Sequence, residues 1–223
     1  MNPASLAASR TAPGTGVVAA AGFLAAYLAV SPVAGAFADR PLPLPDAPPA
    51  ATVAFYVANP LTVGTAAVLQ VVSIACFAVF VAGLAPALRA AGAAWLPRVG
   101  YVSAAAMVAS SAISGVLLAL AATADDATVD VLRQASFYAG GVVNVALLGV
   151  FVLGTALTLG RERLFGGGTR WFGLIAGSLA ALSVISLAFY YASILLPAGR
   201  LLCMIWTIVA AVVILRRVRA ESR

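Results

Sequence analysis

Two groups of residues in this 223-residue chain are of types and spacings that could do chemistry. The first gathers charge and phenol. Asp125, Asp126 and Asp130 stand just before Arg133, while Tyr190 and Tyr191 stand near the end of one late apolar run and Arg200 just before the next. Arginine presents a planar fork of donors suited to carboxylate and phosphate, so this set could build an outward-facing anion or lipid-headgroup site. The other reading of the same residues is interfacial: arginines that snorkel, tyrosines in an aromatic belt, and surface ion pairs. The second group is neutral. Gln70, Ser110, Ser111, Asn144 and Ser183 lie deep inside apolar runs. They could line a pocket at mid-depth, or they could be hydrogen-bond glue between helices.

Absent residues exclude more than present ones suggest. There is no histidine and no lysine. Histidine-ligated haem or metal and Ser-His-Asp catalysis are excluded, as are lysine Schiff bases. The three aspartates lack EF-hand spacing and its bidentate glutamate, so no metal site and no cofactor are expected. Gly166–Arg170 reads GGGTR, without the lysine or spacing of a phosphate loop. Cys76 and Cys203 lie in apolar runs and read as small hydrophobes. No ionisable residue sits at the middle of an apolar run, which argues against a proton relay, an aspartyl hydrolase and a carboxylate-dependent cyclase.

The elements that position these residues follow from composition. Hydrophobic residues make up 63% of the chain and charged residues 9%; a soluble domain carries about 25% charged. Six apolar segments are long enough to cross a bilayer, at about 20 residues each: 17–35, 61–85, 99–122, 135–159, 171–195 and 201–215. The expected fold is all-α, a single polytopic domain with a six-helix transmembrane bundle, because a spanning segment must satisfy its backbone internally. At about 1.5 Å per residue, Gln70 and Asn144 would lie roughly 14 Å deep.

The net charge of +6 comes from thirteen arginines spread singly between the runs, which does not suit nucleic acid. Arg10, then Arg89 and Arg98, then Arg161, Arg163 and Arg170, then Arg216, Arg217, Arg219 and Arg223 fall on one side. Arg40, Arg133 and Arg200 fall on the other. The positive-inside rule then predicts both termini in the cytoplasm. Residues 36–60 become an extracytoplasmic loop, beginning with the polyproline-like RPLPLPDAPP. The apolar stretch after it is expected to lie flat at the interface, with Phe55 and Tyr56 at headgroup depth. Asn59-Pro60 is expected to turn the chain into the second span. A competing reading makes residues 17–33 a signal peptide cleaved after the AFA of Ala36–Ala38. Gly173-x-x-x-Gly177 and Ser111-x-x-x-Gly115 predict close helix packing.

The order of parts carries a resemblance. An outer loop ends in Asn59-Pro60, and a long second helix follows. The fourth helix opens as FYAGGVVNVALLGVFVLG, and Arg170-Trp171-Phe172-Gly173-Leu174 leads into the fifth. This order resembles the uncharacterised bacterial integral-membrane family labelled domain of unknown function 4386, over most of the chain. That family's Leu-Pro-Arg before the fifth helix is replaced here by LFGGGTR. The resemblance implies the six-helix architecture and a bacterial inner-membrane location, and implies no activity. The expected function is non-enzymatic binding or permease-like handling of a small apolar or amphipathic molecule. The alternatives are an interaction subunit that docks a membrane-protein partner and, less favoured, a membrane enzyme acting on lipid or isoprenoid at the outer face.

Overall fold

The computed structural model describes residues 14–39, 43, 47–187 and 194–221. Tyr190 and Tyr191 lie outside these residues, as do Arg10, Arg40, Asp46, Arg223 and most of the polyproline stretch. Seven helices are described: α1 (Thr15–Ala34), α2 (Pro49–Ala58), α3 (Pro60–Ala90), α4 (Leu96–Leu120), α5 (Asp126–Arg161), α6 (Gly167–Leu182) and α7 (Leu195–Glu221). All but the short α2 are long and apolar enough to cross a bilayer. Large apolar side chains such as Val18, Leu61, Trp171 and Ile175 face outward. A soluble protein rarely exposes so much contiguous apolar surface. The chain is an all-α, multi-pass membrane bundle.

Several boundaries differ from the sequence expectation. Helix α5 begins at Asp126 rather than Ala135, because Asp125 accepts the Thr128 amide at 2.7 Å and caps the helix. Its first turns are polar on one side, which hides them from an apolar-run search. Asp126 and Asp130, expected in the outer loop, therefore stand on a helix. Helix α7 begins at Leu195, so Pro197 sits in its first turn, where a missing N–H costs little. Helix α3 runs on to Ala90 and ends where Gly92 takes φ 75°, a conformation that favours glycine. Helix α6 tightens into a 3₁₀ turn over Ser183–Leu187.

The six long helices close a ring in the order α1, α3, α4, α5, α6, α7 and back to α1. Two features let them come close. The first is an aromatic core in the half of the bundle away from α2. Phe77 meets Phe23 at 4.9 Å and Phe151 edge-on at 5.6 Å. Trp206 stacks edge-on against Phe165 and donates to the Thr169 carbonyl at 2.9 Å. The second is glycine at the α5–α6 crossing. A Cβ on Gly177 would stand 2.6 Å from the Leu153 nitrogen, and one on Gly173 would stand 2.6 Å from the Ala156 Cβ. The Gly173/Gly177 expectation is met inside the chain. Ser111-x-x-x-Gly115 is corrected: Gly115 faces outward with nothing within 4 Å.

The helix that a cleaved leader would remove is part of this interior. Helix α1 contributes Phe23, whose carbonyl accepts from the Ser73 hydroxyl at 2.6 Å, and its Tyr27 reaches α7.

Gly177→Val and Gly115→Ala are expected to behave oppositely. The first forces α5 and α6 apart and should lower stability by about 1–3 kcal/mol or more. The second meets open space and should be neutral or slightly stabilising. Thermal unfolding in nanodiscs checks both; equal effects would refute the close-packed crossing.

Candidate functional site

Two adjoining cavities occupy the α2 end of the ring. The larger, about 630 Å³, is walled mainly by α1, α3 and α2, with Val30, Ala34, Phe55, Val63, Ala66 and Ala67 in its lining. The smaller, about 310 Å³, is walled mainly by α4 and α5 and takes in Arg133, Arg200, Ser110, Ser136, Gly140 and Thr52. Tyr56, Gln70 and Ser114 belong to both, so the boundary between them is polar. Each volume falls within the roughly 300–1,000 Å³ of small-molecule sites.

The roof is α2. Asn59 breaks it from α3 and is itself nearly fully buried. Its Oδ1 accepts the Asp39 amide at 2.8 Å, and its Nδ2 donates to the Phe55 carbonyl at 3.0 Å. Thus Asn59-Pro60 is the expected turn and also the tie between α2 and the loop after α1. Phe55 and Tyr56, expected at headgroup depth, are turned toward the bundle interior. Phe55 is 1% exposed and points into the bundle, and Tyr56 faces both cavities. Burial raises the Tyr56 phenol above the ordinary tyrosine range, with the Ser114 hydroxyl opposing the rise.

Helix α5 supplies one wall by its spacing. Arg133, Ser136, Gly140 and Asn144 recur at intervals of three and four residues, which is one helical face. Within that face Tyr138–Val143 is a π-helical turn. A Cβ on Gly140 would stand 2.7 Å from the Ser110 Cβ, so only glycine lets α4 approach there. Ser110 then donates to the Ser136 carbonyl at 2.8 Å, and the Ser136 hydroxyl lies 3.0 Å from that of Ser110 and 2.9 Å from that of Ser114. Lower on the face, Asn144 donates to the Ser103 carbonyl at 2.9 Å, and the Ser103 hydroxyl answers to the Asn144 carbonyl at 2.8 Å.

Arg200 enters this network from α7. Its Nη2 donates to the Gly140 carbonyl and to Asn144 Oδ1 at 3.0 Å, and its guanidinium lies 5.4 Å from the centre of the Tyr27 ring. Arg133 forms an ion pair with Asp130 and donates to the Ala47 carbonyl just before α2. The Nε atoms of both arginines, Thr52 Oγ1 and Thr62 Oγ1 are buried without partners, and all four belong to residues that line the cavities.

The two groups of sequence candidates therefore merge in part. Arg133 and Arg200 share the smaller cavity with Gln70 and Ser110, while Ser111 donates to Gln70 Oε1 at 3.3 Å beside the larger one. Asn144 sits behind Arg200 and lines neither cavity. Ser183 bonds back to the Ala180 carbonyl of its own helix at 2.6 Å, so the single mid-depth layer is corrected to two chambers and a helix-end contact. Asp125 caps α5, where the Thr128 amide holds its carboxyl below the usual carboxylate range. Asp126 is exposed, and Asp130 holds Arg133 and Gln134. These carboxylates thus serve the start of α5. Sequence reasoning missed Ser103, Ser114, Ser136, Thr52 and Tyr27. The three-and-four spacing upward from Asn144 was a signal that would have found Ser136.

Comparison with protein-family models, with curated proteins and with solved structures finds no match for this chain. The architecture and the cavities define the class: a polytopic α-helical membrane protein with a two-chambered interior at one end.

Asn144→Ala should remove the donor to the Ser103 carbonyl and an acceptor from Arg200, lowering stability by about 1–3 kcal/mol; an unchanged unfolding midpoint would contradict the network. The Tyr56 phenol should titrate later than a free tyrosine. The folded state favours its neutral form, so the stability linked to it is full below the ordinary tyrosine pKa and is lost as pH rises through the elevated value. A pH series of unfolding midpoints on the native chain and Tyr56→Phe reads this difference.

Proposed function

We propose that the protein is a non-enzymatic binder, or a permease-like or accessory component, for a small apolar or amphipathic molecule held in the chambers beneath α2. The observation that carries this reading is a pair of adjoining chambers that share Tyr56, Gln70 and Ser114, each lined by apolar side chains and a few polar ones, with Arg133 and Arg200 in the smaller alone. Binding sites are typically apolar hollows with a few polar groups that fix orientation. The unpartnered Thr52, Thr62, Arg133 and Arg200 atoms supply such groups. The arginine distribution supports an orientation with both termini cytoplasmic and the chambers opening toward the outer face. Together with the resemblance to domain of unknown function 4386, this supports a bacterial inner membrane.

A second reading, lateral association with another membrane protein, is favoured by one feature. Ala105, Ala109, Ala112 and Gly115 are exposed along the outer side of α4, and small residues permit close approach of a second helix. Ala109→Trp should then release a partner seen on native gels. A native-gel mobility unchanged by the variant would count against this reading.

Ala67→Trp places an indole in the larger chamber. Binding of a neutral fluorescent apolar probe such as aminoanthracene, measured in nanodiscs, should fall at least about tenfold, with the unfolding midpoint retained. Unchanged probe binding by a folded variant would refute the chamber as the site.

A further inference from the structure

We infer that the smaller chamber is a receptor for a single oxyanion at the end of an apolar chain, a carboxylate or phosphate-ester head whose tail lies in the larger chamber. This rests on the binding reading above and supplies its ligand class.

Charge carries the first part of the inference. Arg133 and Arg200 both line the smaller chamber. Asp130 compensates Arg133. The partners of Arg200 are a carbonyl, an amide oxygen and an aromatic ring, all neutral. Among the described residues lining this chamber there is no carboxylate. A cation inside a bundle without a counter-charge is costly, and one entering anion removes that cost. Asp39 lines the larger chamber instead. Its charge discourages an anion there and directs the head toward the arginines.

Donor geometry carries the second part. A guanidinium has five N–H groups in a fixed fork that matches carboxylate and phosphate. Arg200 engages Nη2 with protein acceptors and leaves Nε without one; Nε of Arg133 is likewise unpartnered. Thr52 adds a buried hydroxyl with no partner. Tyr56 and Ser114 stand at the boundary, where head and tail would join. A free small anion would leave the larger chamber, with its Val30, Ala34, Val63, Ala66 and Ala67 lining, unfilled, and a neutral amphiphile would leave the arginine charge uncompensated.

The test uses the full chain in phosphatidylcholine nanodiscs, titrated with dodecanoate, dodecyl phosphate, dodecanol and acetate, with empty nanodiscs subtracted. At least one of the two anionic amphiphiles should bind about tenfold or more tighter than dodecanol, and the tighter of the two identifies the head. Acetate should bind far more weakly. Arg200→Gln should erase the preference for the anion, bringing the ratio of anion to dodecanol affinity close to one. Should that variant fail to fold, Arg133→Gln, which leaves the Asn144 network untouched, should reduce the same preference. If dodecanol binds as tightly as both anions, the oxyanion inference falls and the chamber reading stands; if acetate binds as tightly as the amphiphiles, the tail contributes nothing and both fall. If no amphiphile binds above empty nanodiscs, both fall.

Discussion

A guanidinium inside a helical bundle must be given acceptors, and the site end of this structure is arranged around that requirement at Arg200. A regular α-helix keeps its carbonyls for itself. The π-helical turn at Tyr138–Val143 lies where the Gly140 carbonyl meets Arg200; such turns interrupt the regular ladder and are frequent at functional sites. Gly140 also admits Ser110, and Asn144, one turn on, accepts from Arg200 with one end and donates to Ser103 with the other. One stretch of α5 therefore joins α4 to α7 and sets the wall of the smaller chamber. The end of α1 is similar in kind: Val30–Ala34 is π-helical around Pro32, and Val30, Ser31 and Ala34 line the larger chamber.

The ring divides its work along its length. Away from α2, Phe23, Phe77, Phe151 and Trp206 fill the interior, and glycines bring α5 and α6 into backbone contact. Toward α2 the side chains lining the interior become small or polar, and the space they leave is the pair of chambers. Helix α2 covers this space because Phe55 is held inside and Asn59 fixes the break from α3. A packed half that resists deformation and a hollow half under a short helix suit a binding protein better than a solid bundle would.

Much of the fold was legible in the sequence, because six apolar runs in lipid have few alternatives to helix. The parts that were not legible share a cause. The first turns of α5 and α7 carry Asp126, Asp130, Arg133, Pro197 and Arg200, so apolar content alone starts both helices too late. That misplacement put Arg133 and Arg200 at an outer surface rather than in a chamber wall. Gln70, Ser110 and Asn144 were found by depth, yet depth says nothing of rotation about a helix axis. Ser183 at a similar level bonds to its own helix, and Ser114 was passed over although it faces both chambers. Helix α2 was read as interfacial because ten apolar residues cannot span; that its Thr52 and Phe55 turn inward depends on the hollow beneath them, which no local pattern records.

The central claim is that the chambers hold one small molecule. Native mass spectrometry of the full-length protein, released from nanodiscs made with the membrane it was expressed in, tests this directly. The account predicts a chain that retains one defined amphipathic adduct, and an Ala67→Trp variant that does not. A bare chain, or one carrying only bulk bilayer lipid in equal measure in both proteins, would contradict it.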